Sequence, residues 1–220
     1  RIELTPEARS VVILRSDASK EGTLLPGLGG AHGGAGWRYP NDCPLSSEEL
    51  SLPIAVTEFA AFFGEVEVFG PDVPEETITL AEVDALSTVD ALVDEAARAP
   101  MMQHIFNRLE ALPAWQRIRN RVILAHTEGS RNLMADAFSR GYFTTAQEIC
   151  RQFGMAFERR PHGPQLTKLM TELVALLPPA VGPSSSDFIP HRDSFEHSAG
   201  RPQSPKHASS LNALPFWPAC

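Results

Sequence analysis

The chain has no apolar run approaching the ~20 residues that cross a bilayer, and no charge-flanked apolar segment opens it. Nothing therefore points to secretion or insertion, and the chain reads as soluble and intracellular, cytoplasmic or nuclear. Cysteine is scarce. Cys43, Cys150 and Cys220 form no Cys-x-x-Cys pair, and their odd number suits neither a zinc site nor a disulfide framework. Lys and Arg are missing altogether from Asn41 to Glu95, a stretch that holds fourteen Asp and Glu, and the formal charge of the whole is -8. That balance weighs against a free-standing binder of phosphate backbones, whose affinity comes chiefly from Lys and Arg. The following stretch, Ala96 to Arg160, carries ten Arg against five acids, so one end of the fold can still be basic. Its 220 residues suit one domain with a full core and some extra segments. The chain starts at Arg1 rather than Met, as a piece of a longer polyprotein would.

What is present is an alternation of short apolar runs and amphipathic stretches. Residues 1–10 are a polar lead-in. Val11 to Leu14 is an unbroken, β-branched run, the pattern of a central strand buried on both faces, and Asp17 follows it. Seven glycines between Gly22 and Gly36, ending at Trp37-Arg38-Tyr39-Pro40, suit a neighbouring antiparallel strand near Gly30 entered through a flexible turn. A phosphate loop is the alternative, but no helix start and no Gly-Lys-Ser/Thr follow. Asn41 to Pro53 reads as a loop with at most a short strand. A helix then begins near Ile54, its apolar face marked by Phe59, Phe62, Phe63 and Val66, with Glu58 at the edge of that face.

Gly70-Pro71 stops the helix, and Thr77 to Leu80 alternates as a strand before Asp84. Leu86, Val89, Leu92, Val93 and Ala96 stripe a second helix. Met102, Ile105, Phe106, Leu109 and Leu112 stripe a third, as core residues by default. Val122 to Ala125 is the next strand, and His126 to Gly129 leads to a helix capped by Ser130, with Asp136 two turns in. Helices are expected over Thr145 to Phe157 and Gln165 to Leu177. From Pro178 the Pro-, Ser-, His- and Gly-rich composition predicts a disordered tail over 178–220.

Asp17, Glu58, Asp84 and Asp136 thus follow strands or open helices, and any one alone is usually a cap or a solvated turn residue. As a set they mean more, because functional groups in α/β sheets gather beyond central strand ends. Four like charges would repel unless cations joined them. Mg²⁺ prefers oxygen ligands, and two such ions can activate a water and stabilise the leaving oxygen of a phosphodiester.

Ser16-Asp17-Ala18-Ser19, Thr57-Glu58-Phe59-Ala60-Ala61, Asp84, and the series His126, Gly129, Asn132, Ala135-Asp136 and Ser139-Arg140 resemble the ribonuclease H domain of retroelement reverse transcriptases. The similarity is strongest to tyrosine-recombinase-type and related elements, and it covers Val11 to Tyr142. It implies a ribonuclease-H-like α/β fold over 11–142, a mixed sheet flanked by helices, with 143–177 as a C-terminal helical extension. It implies two-metal hydrolysis of the RNA strand of RNA–DNA hybrids, with Mg²⁺ or in its place Mn²⁺, and an upstream reverse transcriptase domain in the same polyprotein. By position Asp17 would bridge both ions, Asp136 would join it at the ion that activates water, and Glu58 and Asp84 would hold the other. His126 matches a histidine that assists product release, with a strand-end histidine bonded to backbone as the plain alternative.

Asn132 is expected to fix the start of the helix. The pattern departs from the family at Ala85, where Asn or Ser is common, and Asp90 competes with Asp84. No Lys-rich handle is present, and Arg108, Arg117, Arg119 and Arg121 offer a thin substitute or simply a solvated basic face. A transposase or integrase core would lack the Ala-Asp-x-x-Ser-Arg ending, and a proofreading exonuclease would want Asp-x-Glu on the first strand. The rival from another class is a degenerate domain that binds or tethers nucleic acid without cutting it.

Overall fold

A computed structural model describes residues 10–127 and 131–179. Six strands form one mixed sheet: β1 (Ser10–Ser19), β2 (Gly27–His32), β3 (Ala35–Tyr39), β4 (Thr77–Val83), β5 (Val122–His126) and β6 (Glu158–Pro161). Their spatial order is β5-β4-β1-β2-β3-β6. β1 is the hinge of the arrangement, antiparallel to β2 on one side and parallel to β4 on the other, with β5 parallel to β4. The sheet is flanked by α1 (Ser47–Ser51), α2 (Ile54–Phe69), α3 (Leu86–Val93), α4 (Pro100–Glu110), α5 (Pro113–Ile118), α6 (Leu133–Ser139), α7 (Phe143–Gln152) and α8 (Pro164–Ala175). Among the described residues no helix is long and apolar enough to cross a membrane.

The strand alternation assigns the two faces. Paired residues share a face, so Ser16, Gly30 and Trp37 point one way, and Asp17, Gly29 and Arg38 the other. On the first face α2 lays Phe59, Phe62, Phe63 and Val66 against the sheet, backed by Leu166, Leu169, Met170 and Leu173 of α8, all at most 1 % exposed. On the second face α6 and α7 build a smaller core from Met134, Phe138, Ala146 and Cys150 over Ala31.

The glycine-rich segment is a hairpin of two strands, not one strand after a flexible turn. Side chains are missing there because α6 lies directly on the backbone: a Cβ on Gly29 would come within 2.4 Å of Ser139 N, and one on Gly36 within 2.1 Å of the Phe138 ring. Such distances leave no room for even a methyl group. Turn-forming glycine and seat-forming glycine look alike in sequence, which is why the segment misled.

Other expectations need correction. Val11 is 61 % exposed, Val12 packs partly buried against the core, and Leu14 is the first fully buried residue of β1. The loop after Tyr39 contains no strand but the short helix α1, fixed by a capping box in which Ser46 Oγ accepts from Glu49 N and Glu49 Oε2 accepts from Ser46 N. In α3 the expected stripe residues Leu86 and Val93 are exposed, and Thr88, Ala91 and Leu92 face inward. The segment after Tyr142 is not helical throughout, since β6 joins the sheet parallel to β3 through Arg159 beside Gly36. Helix α6 starts at Leu133, so Asp136 stands in its first turn. The expected cap Ser130, the lead-in 1–9 and the tail from 180 lie outside the described residues.

Two buried charges tie these layers together. Arg38 is 2 % exposed and donates to the carbonyls of Leu25, Pro26, Pro40, Asn41 and Cys43, so one guanidinium fastens the connection before β2 to the segment after β3. Glu65 of α2 is fully buried and accepts a 2.7 Å hydrogen bond from Trp37 Nε1. Burial raises its carboxyl to about 8, against the lowering effect of the Trp37 bond and of Arg15.

Two outcomes follow. Gly29→Ala should destabilise the fold by ~1–3 kcal/mol in denaturant unfolding, through the forced shift of α6. Because Glu65 is raised in the folded state, its contribution is full below the ordinary glutamate pKa and is lost as pH rises through about 8. Tryptophan emission should therefore show a step with a midpoint near pH 8, absent in Glu65→Gln.

Candidate active site

The parallel ladder Ser16–Val83–His126 sets the site, because these residues stand side by side across β1, β4 and β5. One residue further on, the same strand ends present Asp17 and Asp84, with His126 closing β5. Thr127 N extends the ladder by donating to Val83 O at 3.0 Å. Asp136 reaches this edge from α6 on one face, and Glu58 from the second turn of α2 on the other.

Asp17 is 6 % exposed and is held from α6: Ser139 Oγ lies 2.6 Å from Asp17 Oδ2 and 2.9 Å from Asp136 O. The hydroxyl has one proton, and the shorter, charge-assisted contact takes it. Ser19 Oγ donates to Ser139 O at 3.0 Å, and Asn132 Nδ2 donates to Ser16 O at 2.8 Å, so both ends of α6 are bonded to β1. Asn132 thereby fixes the start of the helix, as expected.

The four acids sense one another. Burial first, and then the charges of Asp136 and Asp84, raise Asp17 to about 6, against the lowering effects of the Ser139 bond and Arg140. Burial, Asp84 and Asp17 raise Glu58 to about 7, against the lowering effect of Lys20. Asp84, not Asp90, belongs to this group, since Asp90 lines a cleft between α3 and α4 beside Met102.

Cationic groups answer three of the acids. Arg140 Nε donates to Asp136 Oδ1 at 2.6 Å, an i,i+4 pair about one-third exposed. A pair of that kind contributes only ~0.3–0.5 kcal/mol. Lys20, whose ammonium burial holds below its ordinary value, donates to Leu50 O and Leu52 O and faces Glu58. His126 Nε2 lies 3.8 Å from Asp84 Oδ1, an ion pair when the ring is protonated. Lys20 and the Ser139 contact had no readable signal, because nothing local distinguishes them. Arg140 was visible as part of a motif, without a partner assigned.

The four arginines that offered a thin substitute for a substrate handle, or a solvated basic face, are engaged within the fold. Arg108 meets Glu172 and Gln165, Arg117 donates to Gly70 O and Pro71 O, Arg119 donates to Glu110, and Arg121 donates to Arg117 O.

Four carboxylates, of which Asp17 and Glu58 have raised pKa values, are in kind and charge the hard oxygen donors that Mg²⁺ takes. As the side chains stand, no three or more His, Cys, Asp or Glu among the described residues are arranged to hold an ion. Asp136 is turned to Arg140 instead. Comparison of the chain with protein-family models, with curated proteins and with solved structures returned no match.

Glu58 carries a checkable pH dependence. Its raised folded pKa makes its contribution to stability full below the ordinary glutamate value and lost as pH rises through about 7. In EDTA, Glu58→Gln and the parent should be equally stable near pH 4, and the variant should become the more stable of the two by pH 8. Parallel stability curves across that range would refute the clustering of these acids.

Proposed function

We propose that the chain is a ribonuclease-H-like domain that hydrolyses the RNA strand of RNA–DNA hybrids, working beside a reverse transcriptase domain of the same polyprotein. The observation that carries this reading is the meeting of Asp17, Glu58, Asp84 and Asp136, from four separate segments, at the carboxyl ends of β1 and β4. The mixed sheet, with β1 between an antiparallel and a parallel half, supports the fold assignment. The order of the acids and the Ala-Asp-x-x-Ser-Arg ending support the nuclease over other enzymes built on such sheets.

Asp17, Glu58, Asp84 and Asp136 would hold Mg²⁺, or Mn²⁺ in its place. The bound ions would supply an activated water and charge stabilisation for the leaving oxygen. The chain's own residues do the rest. Ser139 fixes the rotamer of Asp17, and Asn132 and Ser19 hold α6 so that Asp136 faces the same edge. His126, 43 % exposed at the end of β5, can carry a proton at the rim of the site, near the phosphate that a product would leave.

The pairing of Asp136 with Arg140 favours a second reading, a degenerate domain that binds or tethers nucleic acid without cutting it. Cleavage separates the two. The purified chain is incubated with labelled RNA–DNA hybrid, duplex DNA and duplex RNA, with and without Mg²⁺. The nuclease reading expects the RNA strand of the hybrid to be cut only with Mg²⁺, and Asp136→Asn to lower the rate by orders of magnitude. Binding of hybrid with no strand cut under any condition would leave the tethering reading.

A further inference from the structure

The contacts of Arg140 differ along its length. Its backbone is pinned, since Thr23 Oγ1 donates to Arg140 O at 3.2 Å and Arg140 N donates to Asp136 O at 3.1 Å. Its guanidinium makes two contacts at once, Nε donating to Asp136 Oδ1 at 2.6 Å and Nη1 to Glu21 O at 3.2 Å on the connection between β1 and β2. The side chain is 30 % exposed, so leaving the carboxylate requires no burial of charge elsewhere. Gly22 in that connection has φ +68° and presents no Cβ, and the nearest atom to one built there is Arg140 Nη1 at 3.7 Å. Glu21 O can therefore keep its hold on Nη1 when Nε leaves the carboxylate.

We propose that Arg140 is a displaceable counter-cation: in the metal-free site it neutralises Asp136, and a divalent cation drives it off that carboxylate toward the β1–β2 connection. The proposal rests on the reading of Asp136 as a metal ligand. It follows from competition for one carboxylate, because Nε occupies Asp136 Oδ1 and its positive charge beside that group opposes the approach of a second cation. Arg140 is then a positioning residue that keeps the acidic edge charge-balanced until the ion arrives. Ion affinity carries a penalty equal to the strength of the pair.

The test titrates Mg²⁺ calorimetrically into the full chain at low salt without nucleic acid, for the parent, Arg140→Gln and Asp136→Asn. Alongside it, the ¹⁵N–¹H signal of Arg140 Nε is followed in the parent. Removing a competitor of this modest strength should tighten Mg²⁺ binding about twofold in Arg140→Gln. The Nε–H signal should shift and broaden as Mg²⁺ is added. Equal or weaker binding by Arg140→Gln overturns the proposal, and so does an Nε–H signal unmoved through saturation. If Asp136→Asn binds as tightly as the parent, the metal reading of Asp136 falls and the displacement falls with it. If Asp136→Asn binds more weakly while Arg140→Gln binds no tighter, the metal reading stands and the counter-cation role alone is lost. Should Arg140→Gln fail to fold, the Nε–H signal of the parent decides.

Discussion

The 2.6 Å hydrogen bond from Ser139 Oγ to Asp17 Oδ2 joins the end of α6 to the centre of the sheet, and the rest of the site depends on it. It forms only because α6 sits on bare backbone at Gly29 and Gly36, close enough for a short serine side chain to reach across. Ser19 and Asn132 hold the same helix at two further points, so the position of Asp136 follows from three contacts to β1 rather than from its own surroundings.

The electrostatics of the edge follow from the same geometry. Burial at the strand ends and the charges of neighbouring acids raise Asp17 and Glu58, and the fold places basic side chains of its own beside the acids. Arg140, Lys20 and His126 each stand beside a different acid, and Asp17 has a hydroxyl. Arg140 and His126 sit at the partly exposed rim, where pairs of this kind are weak. The deeper charges behave differently. Arg38 is locked by five carbonyls, and Glu65 is kept largely neutral under the sheet by burial. They hold layers together and take no part in the edge.

Local pattern determined a good deal of this protein by itself. The apolar runs at Val11, Thr77 and Val122, the face of α2 and the stripe of α4 are properties of neighbouring residues, and so they were legible, as was Asp84 just beyond the end of β4, whereas Asp17 lies inside β1, two residues before its end. The Ser46-x-x-Glu49 capping box is equally local, and the prolines around it mask it in the sequence. Tertiary structure alone decided what the glycines are for, that Glu158 to Pro161 becomes a sixth strand, that Asp84 rather than Asp90 joins the other acids, and which cation answers each carboxylate. The physical reason is separation along the chain. The Ser139–Asp17 bond spans 122 residues and the seat of Phe138 on Gly36 nearly as many, so neither leaves a mark in any window of sequence short enough to show a period.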